Sequence, residues 1–93
     1  MIISTKGKLA GQGVRGRFGK GFPGELVKRT RAMLSALDAA VELKDLRFPP
    51  GNRLEALSGD RAGQHSVRIN DQWRICFIWT QDGPMNVEIL DYH

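Results

Sequence analysis

Two periodicities divide the chain. Leu26, Val27, Leu34, Leu37 and Val41 recur at helical spacing, with Met33 and Ala40 beside them. Lys28, Arg29 and Arg31 take up the remaining surface. The pattern predicts a helix from about residue 23 to 40. Pro23 suits its first turn, because a missing N–H costs nothing there. Glu25 lies near the positive end of the dipole. A short helical turn at about 42–46 follows, and Pro49-Pro50-Gly51 stops helix formation.

Beyond Pro50 the period shortens to two. Residues 53–57 read as a short strand, ended by a turn at Ser58-Gly59-Asp60-Arg61. In 64–70, His65, Val67 and Ile69 alternate with Gln64, Ser66 and Arg68. Asn70-Asp71-Gln72 is a turn. Residues 73–80 are rich in aromatic and β-branched side chains and form the strongest strand signal. Gln81-Asp82-Gly83-Pro84 is a hairpin turn, and 85–91 the last strand. Neither element type hides its apolar surface alone, so the helix must cover one face of the sheet. The expected fold is α+β: N-terminal helices on one face of a small, mainly antiparallel four-stranded sheet, as one domain over residues 1–93.

The start of the chain is harder to place. Ile2–Thr5 reads either as a short strand or simply as the chain start. Seven of the eleven glycines fall between Lys6 and Gly24. Glycine costs a helix up to about 1 kcal/mol relative to alanine, so any helix in 8–18 is weak, held by Leu9, Val14 and Phe18. The stretch lacks the Gly-Lys-Ser/Thr ending of a phosphate-binding loop.

Charge sharpens the division. Residues 1–31 hold eight basic side chains against Glu25, a net of +7, whereas residues 32–93 hold six basic and nine acidic, a net of −3. Such a concentration attracts nucleic acid or an acidic partner; its bland counterpart is a solvated face with a loose tail. No apolar run approaches the roughly 20 residues that span a bilayer. The start is not a secretory signal, since its apolar stretch is too short. One cysteine, Cys76, excludes an internal disulfide framework and fits a reducing cytoplasm. One Cys with His65 and His93 argues against a structural zinc site, and no metal or cofactor is expected.

Two clusters stand out chemically. Arg68 and Arg74 alternate against apolar neighbours, so both emerge on the sheet surface facing away from the helix. Paired guanidinium groups offer planar, permanently charged donors suited to phosphate. Equally, each arginine can pair with an acid across the strands, such as Glu55 or Glu88. The second cluster is Asp91-Tyr92-His93. Histidine is the acid–base residue of neutral pH, tyrosine stacks on a base or donates a proton, and aspartate orients a neighbour. A frayed tail is the plain alternative. Asp60 and Arg61 form a turn from which Arg61 can reach a phosphate. His65 reads as a partly buried strand residue, Cys76 as a structural thiol, and Trp73 and Trp79 as core.

The run from Leu57 to Phe77, LSGDRAGQHSVRINDQWRICF, resembles the core of HigB-type toxins of the RelE/ParE superfamily. The shared features are a Leu-x-Gly-Asp-Arg turn, a Ser-x-Arg strand, an Asn-x-x-Trp-Arg turn and a closing Asp-Tyr-His. The helical segment 25–40 and its continuation at 43–47 also resemble that family, so the likeness covers about residues 22–93. The resemblance implies a cytoplasmic, ribosome-dependent endoribonuclease that cuts translated mRNA, neutralised by a helix-turn-helix, HigA-like antitoxin. Operator DNA is then touched only through the antitoxin, and no membrane is involved. It carries the catalytic role to Arg68, Arg74, Asp91, Tyr92 and His93, with Arg61, Glu55 and Ser58 as RNA-binding candidates.

Two stretches depart from the pattern. Many relatives read Leu-His-Pro-Leu-Lys-Gly where this chain has Leu54-Glu55-Ala56-Leu57-Ser58-Gly59, so Glu55 and Ser58 replace basic residues. A weaker or differently tuned nuclease is expected. Segment 6–21 is also more basic and less helical than the family's usual first helix. The competing readings are a related gyrase poison, a nucleic-acid-binding module without catalysis, and a weakened toxin kept to bind its antitoxin.

Overall fold

A computed structural model describes residues 1–91 of the chain. Tyr92 and His93, expected in the site from sequence, lie outside the described residues. Two α-helices, α1 (Lys8–Val14) and α2 (Val27–Ala39), precede four strands: β1 (Glu55–Ala56), β2 (His65–Arg68), β3 (Trp73–Thr80) and β4 (Gly83–Asp91). The strands form one antiparallel sheet in the order β1-β2-β3-β4. Each strand pairs with its sequence neighbour, the simplest outcome of short hairpin turns.

The expected long helix is α2, entered through a 3-10 turn at Gly24–Leu26. Pro23 stands just outside it with ψ 124°, an extended conformation, so the proline sets the entry and not the first turn. The buried face of α2 is Thr30, Met33, Leu34 and Leu37. Val41, counted with that face from its spacing, is 82% exposed because the helix ends at Ala39 and the chain turns away. Thr30 joins the buried face instead.

The Gly-rich start does form a helix, and packing explains it. Gly13 is buried, and a Cβ there would lie 3.0 Å from Leu34 Cδ1 and 3.2 Å from Phe18 Cζ. The missing side chain lets α1 lie directly against α2. Ile2–Thr5 is not a full strand. It runs along the outer edge of β4, with a parallel bridge from Thr5 to Val87. Val87 N–H donates to the Ser4 carbonyl at 3.0 Å, and Lys6 N–H donates to the Val87 carbonyl at 2.9 Å.

Between helix and sheet, a 3-10 turn at Leu43–Arg47 opens with a capping box. The Asp45 carboxylate accepts from the N–H groups of Val41 at 3.0 Å and Glu42 at 2.9 Å. These two bonds hold its pKa below the model-peptide value of 3.8. The strand expected over 53–57 shrinks to Glu55–Ala56. Arg53 sits in the left-handed region at φ 45°, which cannot join a ladder. The Asn70-Asp71-Gln72 turn is closed by Asn70 Oδ1, which accepts from Gln72 N–H at 2.9 Å and Trp73 N–H at 2.7 Å.

The core lies between helices and sheet. Val67, Ile69, Trp73, Ile75, Phe77, Val87 and Ile89 pack against Ala10, Phe22, Met33, Leu34, Leu37 and Leu46. Trp79 is only partly buried and packs on the margin of this cluster. Arg29 ties α2 to the far end of β2: its Nε donates to the Ile69 carbonyl at 2.6 Å and its Nη2 to the Arg68 carbonyl at 3.1 Å.

Candidate functional site

The second face of the sheet carries the polar groups. Directly opposed residues of an antiparallel pair share a face. The register therefore makes a row across all four strands: Glu55 opposite Ser66, Ser66 opposite Cys76, Cys76 opposite Glu88. The next row is Arg68, Arg74 and Leu90. Arg68 and Arg74 are direct cross-strand partners, on the face away from the helices.

Like charges directly opposite one another destabilise a sheet. Acids relieve this pair. Arg68 is ion-paired with Asp71 of the adjacent turn. Arg74 is more enclosed, with a side chain 14% exposed. Its Nε donates to Ser66 Oγ at 2.9 Å, its Nη2 donates to the Arg53 carbonyl at 3.1 Å, and its Nη2 lies 3.5 Å from Glu55 Oε2. Of the two acids that the sequence offers to the strand arginines, Glu55 lies beside Arg74. Glu88 pairs instead with Arg61, Nη1 to Oε1 at 3.3 Å, and Gln64 Oε1 accepts from the same nitrogen at 3.0 Å. Arg61 thereby reaches from the 3-10 turn Gly59–Arg61 onto the same face as Arg74.

Other candidate residues fall elsewhere. Ser58 is exposed before that 3-10 turn, and its hydroxyl makes no capping bond; its carbonyl accepts from Arg61 N–H at 3.2 Å. Asp91 is the cross-strand partner of Trp73, so it belongs to the helix-side row and not to the row of Arg68 and Arg74. Strand alternation forces this, since Leu90 is the partner of Arg74. The Asp91 carboxylate accepts from Gln72 Nε2 at 3.1 Å. His65 stacks on Phe77 with ring centroids 6.3 Å apart, and Cys76 is buried. Among the described residues no group of His, Cys, Asp and Glu is placed to hold a metal ion.

A family profile described as the RelE-like toxin of the type II toxin–antitoxin system HigB matches residues 16–93. The chain belongs to the HigB toxins. It is 47% identical over 60 residues to "Toxin HigB-1" of Vibrio cholerae, a match covering 64% of this chain and 62% of that relative. It is 33% identical over 73 residues to "Endoribonuclease HigB" of Proteus vulgaris, covering 78% of each. An uncharacterized protein of Haemophilus influenzae is 32% identical over 72 residues, covering 77% of this chain and 70% of that one. Membership makes the chain a type II toxin, and such a toxin has an antitoxin partner. Among the described residues, no helix is long and apolar enough to cross a membrane.

Sequence reasoning missed three members of this HigB face. Ser66 shares the side of Arg68 in the alternation but was given no role, and it is fully buried and bonded to Arg74. The Arg53 carbonyl carries no side-chain signal. Asp71 was read only as turn chemistry. The alternation that placed Arg68 also places Ser66 on its face, so Ser66 alone was findable.

Proposed function

We propose that this HigB toxin is a ribosome-dependent endoribonuclease that cuts translated mRNA. One observation carries the reading: Arg68 and Arg74 stand directly opposite each other on the sheet face away from the helices. Two like charges are held together there at a cost, and an oligoanion repays it. The name of the Proteus relative supports RNA cleavage as the chemistry.

The RNA's own 2′-hydroxyl is the nucleophile, in a metal-independent reaction. Its oxygen attacks the adjacent phosphorus as the P–O5′ bond breaks, giving a 2′,3′-cyclic phosphate and a 5′-hydroxyl. Arg68 and Arg74 stabilise the charge that builds on the phosphoryl oxygens, often the largest catalytic term. His93 or Asp91 moves the protons, a contribution of about 10²–10⁴ in rate. Tyr92 stacks on a base. Asp91 is also tied to the sheet. Its carboxylate accepts from Gln72 Nε2 at 3.1 Å at the end of β4, beside the turn that leads into Trp73. Arg61 contacts the RNA backbone, and Glu55 and Ser58 line its path. The ribosome supplies the message geometry that so small a protein does not.

The antitoxin is a HigA-like helix-turn-helix protein, and the toxin acts in the cytoplasm. Mapping message 5′ ends after induction tests the reading. Cuts within translated, but not untranslated, messages are expected. Growth arrest with intact messages and trapped gyrase–DNA complexes would overturn it.

A further inference from the structure

We infer that Ser66 is a positioning residue for Arg74, fixing the guanidinium as a phosphate ligand; this rests on the nuclease reading above. A lone arginine on a strand has several rotatable bonds and samples many directions. Arg74 is restrained at two of its nitrogens. Nε donates to Ser66 Oγ at 2.9 Å, and Nη2 donates to the Arg53 carbonyl at 3.1 Å. Two acceptors on one planar group fix both its plane and its rotation about the side chain.

The two anchors are themselves rigid. Ser66 is fully buried in the middle of the sheet, opposed by Glu55 on one side and Cys76 on the other. Arg53 is set by a 3-10 turn at Pro50–Asn52, where its own N–H donates to the Pro50 carbonyl at 3.1 Å. Glu55 differs from both. Its carboxylate is 3.5 Å from Nη2 and its side chain is 56% exposed, so its pairing is weak and exchangeable. The division of labour follows. Ser66 and Arg53 hold the guanidinium in place permanently, and Glu55 occupies the anion position until a phosphate displaces it.

Two readouts test the role of Ser66. The first needs no activity: hydrogen exchange of arginine Nε–H groups followed by ¹⁵N NMR on the full chain. Arg74 Nε–H exchanges more slowly than those of exposed Arg15 and Arg17 in the unaltered protein. Ser66→Ala brings it close to theirs. The second is cleavage in reconstituted translation. Ser66→Ala lowers kcat roughly ten- to hundredfold, the range for losing a hydrogen bond to a charged group, with a smaller change in KM. In an Arg74→Ala background the same change adds no further loss. Ser66→Cys is somewhat larger and a weaker acceptor, so it lowers kcat partially while the fold is kept. Fast Arg74 Nε–H exchange in the unaltered protein, or equal losses from Ser66→Ala with and without Arg74, overturns the inference. An unaltered protein that leaves translated messages intact sinks the nuclease reading, while the exchange arm still judges the Ser66–Arg74 link.

Discussion

At residue scale, the site is a matter of which acid meets which arginine. Arg74 and Arg68 were placed correctly by alternation alone, because a strand sends every second side chain to one face. What alternation does not contain is the identity of the neighbours across the strands. Those depend on register, and register is set by turns. Glu55 illustrates the point. Read against its relatives, it removes positive charge from the cleft; in the structure it lies beside Arg74. A carboxylate there competes with the incoming phosphate and repels it. Glu55→Gln is therefore expected to lower KM for the message several-fold, with kcat moving less. Cleavage titrations against message concentration check this, and an unchanged or raised KM contradicts it.

At the scale of elements, α2 and β2–β4 were legible because their apolar periods are long and unbroken. The misplacements share a cause: backbone geometry or packing overrode pattern. β1 shrank because Arg53 is left-handed, and α1 formed despite its glycines because Gly13 fits under Leu34. The two glycines of α1 should then respond oppositely to alanine. At Gly11 a Cβ meets only ordinary contacts, 3.7 Å from Thr5 Oγ1, so Gly11→Ala stabilises by about 0.5–1 kcal/mol through helix propensity. Gly13→Ala pushes Leu34 and Phe18 aside and destabilises. Denaturant midpoints of the two variants check the contrast, and the same sign for both would contradict the packing argument. The turn Leu43–Arg47 makes a pH prediction. Asp45 has a folded pKa below its unfolded value, so its charged, capping form contributes stability above about pH 3.8 and loses it as pH falls through the lower folded value. Asp45→Asn should thus lower Tm at neutral pH, with the difference narrowing in that acidic window. A gap of constant size down to pH 2 would contradict it.

At the scale of the whole molecule, the sheet is a two-sided object. One side packs on the helices and is the core; the other gathers Arg61, Arg68 and Arg74 with their acids. The basic N-terminal third lies on the helical side of the chain's order, with α1 and α2. This suits a broad electrostatic attraction to RNA separate from the chemistry. The fold class followed from sequence because helices and strands are segregated along the chain. The row of Asp91 did not, since it depends on the register that sets Asp91 opposite Trp73 and Leu90 opposite Arg74.

The most direct test of the arginine face uses purified protein in a reconstituted translation reaction. Downstream fragments should carry 5′-hydroxyl ends, and Arg68→Ala and Arg74→Ala should each lower their yield by about a hundredfold or more while antitoxin binding persists. Cleavage that survives both substitutions together would show that this face of the sheet does not hold the scissile phosphate.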